Sequence, residues 1–143
     1  MKVAILMGSP RDDEKMAGAS EMLTRFGVEH EVHVMSAHRT PEEVAEFASN
    51  ARSNGFGAII CGAGMAAHLA GVVSAHTTIP VIGVPLSGGI SGGMDALLST
   101  VQMPRGIPVA TVAVDGSANA GVLAVEILSL SNGDLVAQLQ RFR

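Results

Sequence analysis

Two histidines stand in short polar segments that each follow an apolar run. These are Ser36-Ala37-His38-Arg39-Thr40-Pro41 and Gly62-Ala63-Gly64-Met65-Ala66-Ala67-His68-Leu69. An imidazole of pKa near ~6.5 gives and takes protons around neutral pH, so His38 and His68 are candidate general acid–base groups. Arg39 presents a planar fork that clamps a phosphate or carboxylate through two hydrogen bonds. A third segment, Gly8-Ser9-Pro10-Arg11-Asp12, opens a helical pattern, and the start of a helix suits a phosphate. There Ser9 offers a hydroxyl, Arg11 a cation and Asp12 an acceptor for ribose hydroxyls. The glycines around Ala63 and Gly64 let backbone approach a ligand closely. Each segment also has a plainer reading: a capped turn at 8–12, a solvated loop histidine at 38, a packed or capping histidine at 68.

Other chemistries find no support. There is no H-E-x-x-H, and Cys61 lacks partners, so no metal site is expected. A Ser-His-Asp hydrolase would need a G-x-S-x-G elbow, which is absent. His30, His33 and His76 read as structural or solvated. The eight methionines fall at apolar periodic positions and read as core filler.

The elements that must position these residues follow from periodicity. Continuous apolar runs at Val3 to Met7, Ala58 to Cys61, Pro80 to Val84 and Val109 to Val114 read as buried strands. Glu29 to Met35 alternates, which suits a strand near a sheet edge. Helical spacing covers Asp12 to Arg25, Pro41 to about Asn54, Ala66 to Ala75, Met94 to Val101, Asn119 to Leu130 and Asp134 to Phe142. Thr40-Pro41-Glu42-Glu43 reads as a capping box. His68 is expected in the first turn of its helix, where the positive end favours neutral imidazole. Five strands alternating with helices predict an α/β protein: a three-layer α/β/α sandwich, flavodoxin-like, with a parallel five-stranded sheet in the order 2-1-3-4-5. Ligands then bind outside the carboxyl ends of the strands, and the polar and glycine-rich segments all follow strands. The loop Ser87 to Gly93, with four glycines, is a further one.

Composition narrows the classes. The 143 residues read as a single domain, 1–143, with 48% hydrophobic and 15% charged residues and a net charge of −4. An acidic balance with no Trp or Tyr argues against a nucleic-acid partner. No apolar run spans a membrane, which suggests a cytoplasmic protein. Ala 20, Gly 17 and Ser 12 make an excess of small residues, which predicts close packing between helices or subunits.

From Ser36 to Pro41 onward the sequence resembles the small purine-biosynthetic mutases that act on N5-carboxyaminoimidazole ribonucleotide. The likeness continues through Met7-Gly8-Ser9, Gly62 to Leu69, Pro80 to Pro85, Asp95 to Pro104 and Gly106 to Ala113, in order along nearly the whole chain. The resemblance implies an ATP-independent, metal-free transfer of the substrate carboxylate from N5 to C4, without a cofactor, by decarboxylation and recapture of bound CO2. It implies that His38 shuttles the proton and that His68 helps to orient the carboxylate or CO2. It assigns Ser9, Ser36 and Arg39 to the phosphate of a small nucleotide substrate, with Arg11 beside them, and Asp12 to the ribose. Ala63, Gly64 and the backbone near Ala66 would wall the base. It also implies a homo-octamer.

Three positions depart from the family pattern. Arg11 replaces a serine, Met65 replaces a glycine, and Ala70 replaces a proline. The C-terminal helix is shorter than in many members, which bears on octamer packing. Relatives that carboxylate aminoimidazole ribonucleotide directly carry Lys after Ser-Ala-His, so Arg39 favours the mutase. The alternatives are that direct carboxylase and a non-enzymatic nucleotide-binding module of the same fold.

Overall fold

A computed structural model describes residues 1–143. Five parallel strands form one sheet: β1 (Lys2–Met7), β2 (His30–Val34), β3 (Phe56–Gly64), β4 (Val81–Leu86) and β5 (Ala110–Thr111), in the order β2-β1-β3-β4-β5. The predicted flavodoxin-like order is therefore observed. Four helices connect them, α1 (Asp13–Arg25), α2 (Pro41–Asn50), α3 (Leu69–His76) and α4 (Met94–Val101), and two follow the last strand, α5 (Ser117–Ser129) and α6 (Gly133–Phe142).

The apolar runs of β1, β3 and β4 arise because both faces of these strands are covered. Val3, Ile5 and Met7 of β1 point into one core with Ile60, Ile82, Leu23 of α1 and Val125 of α5. Ala4 and Leu6 point into the other with Ile59, Val44 of α2 and Val73 of α3. The alternating β2 lies at the edge, with Val32 and Val34 about half exposed.

Small residues allow close packing between helices. A Cβ on Gly121 of α5 would lie 2.9 Å from the Ala19 carbonyl oxygen, and one on Gly18 of α1 would lie 3.0 Å from Ser117 Oγ. The predicted tight helix contact is thus the α1–α5 pair.

Three local expectations change. The capping box does not form: Thr40 makes no side-chain cap bond to α2. Its Oγ1 instead accepts from Ser36 N at 2.9 Å and donates to Ser36 O at 3.2 Å. The turn after β2 offers these partners closer in sequence than the helix does. Next, α3 starts at Leu69 rather than Ala66, and His68 is its N-cap residue. Met65 has a φ of 54°, in the left-handed region, so the chain cannot enter a right-handed helix there. Finally, β5 pairs over only two residues, Ala110 and Thr111.

Candidate active site

The carboxyl ends of β1, β2 and β3 meet beside the point where the strand order reverses, which is where α/β sheets bind ligands. Register aligns Met7 of β1 with Val34 of β2 and Gly62 of β3. The chain leaving each strand contributes one wall of a cleft of about 270 Å³.

The turn after β2 carries the first histidine. Ser36 Oγ accepts from the backbone N–H of His38 at 3.3 Å and of Arg39 at 3.2 Å, while Thr40 N donates to Ser36 O at 2.8 Å. Ser36 and Thr40 thereby lock the turn, and His38 and Arg39 project from it, both exposed. Arg39 Nη2 reaches toward the Gly8 carbonyl at 3.5 Å and ties the β2 turn to the end of β1.

The segment after β3 carries the second. Ala67 N donates to Met65 O and His68 N to Ala66 O, both at 2.9 Å, so the backbone winds tightly before α3. This sets His68 opposite His38. His38 Nε2 and His68 Nδ1 lie 2.7 Å apart, with ring centroids 4.8 Å apart and planes at 85°. One proton between these nitrogens makes one ring the donor and the other the acceptor. Each ring leaves a second nitrogen for other partners.

The Gly8-to-Asp12 turn forms the third wall. Asp12 lines the cleft, and desolvation pushes its carboxyl up, with the Ser9 backbone hydrogen bond and the Lys15 charge pulling it down. Ser9 Oγ accepts from Arg11 N at 3.3 Å and caps the turn Pro10–Asp12. The cleft lining contains His38, His68, Asp12, Ser36, Arg39, Ala63, Gly64 and Ala66, whereas Ser9 and Arg11 stand beside it.

The loop from Ser87 is among the segments expected to approach a ligand, but no single residue of it is a sequence-predicted site residue. Leu86, Ser87 and Gly88 in fact form part of the wall. Their signal was the apolar run of β4 ending at Ser-Gly-Gly. Cys61 is buried in β3, where desolvation pushes its thiol up, so it offers no thiolate nucleophile. No three of His, Cys, Asp or Glu converge as metal ligands. No helix is long and apolar enough to cross a membrane.

The arrangement sets a hydrogen-bonded histidine pair, a guanidinium and a partly desolvated carboxylate around one polar cleft. Comparison with known proteins gives the chain a family. An N5-carboxyaminoimidazole ribonucleotide mutase of Vibrio vulnificus is 51% identical over the whole chain, which covers 90% of that protein. A chloroplastic phosphoribosylaminoimidazole carboxylase of Vigna aconitifolia is 49% identical over 99% of the chain, which covers 25% of that longer protein. The crystal structure of Treponema denticola PurE superposes with a TM-score of 0.89 at 29% identity, covering 98% of this chain and 87% of that one. The AIR carboxylase family matches residues 2–143, and the chain belongs to it.

Proposed function

We propose that the chain is an N5-carboxyaminoimidazole ribonucleotide mutase of purine biosynthesis. The contact between His38 and His68 in the strand-end cleft carries this reading. The reaction has two linked steps. The bond from N5 to the carboxyl carbon breaks, CO2 departs, and the nitrogen takes a proton. C4 then attacks CO2, a carbon–carbon bond forms, and the C4 proton leaves. One proton is given and one is taken, so an imidazole that starts protonated, gives its proton to the nitrogen and takes the C4 proton back ends in its starting state. His38 is the group that carries it, and His68 orients His38 and the carboxylate.

Arg39 and Ser36 face the substrate phosphate, and Ser9 keeps its O–H free to donate there. Arg11 lends charge from outside the wall. Asp12 receives the ribose hydroxyls, and Ala63, Gly64 and Ala66 border the base. Arg39 supplies a local positive field that the net charge of −4 does not.

Bound CO2 has to be held away from solvent. In one chain His38 and His68 are both exposed. Ile90, Met94, Leu98 and Val101 present an exposed apolar stripe at helical spacing along α4 and the turn before it. Both features support self-assembly in which neighbouring copies close the cleft, and the homo-octamer is the assembly that the family resemblance implies. The protein works in the cytoplasm, with no cofactor.

The name of the Vigna aconitifolia relative favours a second reading, direct carboxylation of aminoimidazole ribonucleotide by CO2. An ATP-free assay separates the two. The mutase converts the N5-carboxylated nucleotide to the C4-carboxylated product. Turnover of aminoimidazole ribonucleotide with bicarbonate, and none of the N5-carboxylated form, establishes the carboxylase instead.

A further inference from the structure

We infer that Lys15 is a positioning residue, holding the Ser87–Gly88 wall of the cleft in place. This rests on the reading of the cleft as the substrate site. Lys15 lies on α1, 72 positions from Ser87 in sequence. Its Nζ donates to the Ser87 carbonyl at 2.6 Å and to Ser87 Oγ at 3.0 Å. On the far side, Asp115 accepts from Ser87 N at 2.9 Å and from Ser87 Oγ at 2.5 Å. All the polar groups of Ser87 are therefore engaged, and its hydroxyl proton is spent on Asp115 rather than offered to a ligand. Ser87 shapes the cleft instead of binding in it.

The need for such a clamp follows from the next residues. Gly88 has a φ of 119° and Gly93 one of 105°, and four of the seven residues from Ser87 to Gly93 are glycine. Backbone of this kind costs the most entropy to order. The far end is held separately, by Asp95 Oδ2 accepting from Ile90 N at 3.1 Å. Between these anchors, Gly88 lines the cleft. Lys15 sits one helical turn beyond Asp12, and its charge also acts on the Asp12 carboxylate. One ammonium thus couples two walls, the α1 end with Asp12 and the β4 end with Gly88. Lys15 itself is exposed, so replacing it leaves both cores untouched.

The test compares wild type with Lys15→Met and Lys15→Arg. Amide hydrogen exchange is followed across residues 87–93, and kcat and KM are measured with the N5-carboxylated nucleotide. Lys15→Met is expected to speed exchange in that segment by about tenfold and to raise KM several-fold, with kcat within twofold. Lys15→Arg is expected to restore both. Unchanged exchange overturns the inference, as does a loss confined to kcat. If wild type turns over neither carboxylase nor mutase substrate, the functional reading fails. The exchange comparison then decides the role of Lys15 alone.

Discussion

His38 Nε2 stands 2.7 Å from His68 Nδ1 across a cleft whose two sides come from different strands. Neither imidazole has another side-chain partner, so each restrains the other's ring orientation, and the proton they share ties their two tautomers together. A proton shuttle needs that control, because a ring presenting the wrong nitrogen neither gives nor takes the proton.

Replacing His38 by Asn removes the proposed shuttle and keeps a similar shape. The turn around it is held by the side chains of Ser36 and Thr40 bonding to backbone, without the His38 side chain, so the fold survives. His38→Asn is expected to lower kcat by about 10²–10⁴-fold. Nucleotide binding by calorimetry stays within a few-fold of wild type. An active His38→Asn enzyme removes His38 from the mechanism.

Asp12 links function to stability in opposite directions. Its folded-state carboxyl lies above its usual value of 3.8, mainly through desolvation. A raised folded-state pKa means that the folded protein prefers the protonated form, so stability declines as pH rises through the carboxylate range. Asp12→Asn is therefore expected to melt at a higher temperature than wild type at neutral pH. The same variant is expected to bind the nucleotide more weakly, since Asn keeps one acceptor oxygen but turns the other into a donor and drops the charge. Melting curves at pH 7 and near pH 3 check the sign, since the advantage shrinks in acid.

The fold was legible because its evidence is local. Val3 to Met7 and Ala58 to Cys61 are short apolar runs closed by glycine-rich turns, which suits strands covered on both faces. What escaped is non-local or decided by competition. Thr40 and Glu43 fit a capping box in sequence, but Ser36 offers Thr40 two bonds inside the preceding turn. The start of α3 depended on the backbone angle of Met65, which residue type does not reveal. Eight of the ten candidate residues line the cleft because they follow strands. Lys15, Ser87 and Asp115 escaped because their contacts span 72 and 28 positions.

Asp115 gives a pH dependence of the opposite sign to Asp12. Desolvation pushes its carboxyl up, but the Ser87 hydroxyl and amide and the Lys15 charge outweigh that and hold it below 3.8. A lowered folded-state pKa stabilises the protein above the unfolded value, and this contribution disappears as pH falls through the folded one. Asp115→Asn should melt below wild type at pH 7 and converge with it in strong acid. Its φ of 57° suits Asn, so the change tests the charge rather than the backbone. A gap between the two that persists unchanged near pH 2 contradicts this.

Met65 carries strain where the family pattern has glycine. Its side chain is 66% exposed, so little packing opposes a change. The left-handed conformation costs a non-glycine residue about 1–2 kcal/mol. Glycine returns about 0.4–1 kcal/mol of that through the freer unfolded chain. Met65→Gly is expected to be more stable in urea, by up to about 1.6 kcal/mol on these figures. A clear loss of stability shows that Met65 makes a favourable contact instead.

Carbon label transfer tests the central claim most directly. The purified protein is mixed, without ATP, with nucleotide carrying ¹³C in its N5-carboxylate, in unlabelled bicarbonate. A mutase that keeps CO2 bound yields C4-carboxylated product that retains the label. Absence of that product, or product carrying only unlabelled carbon from bicarbonate, contradicts the account.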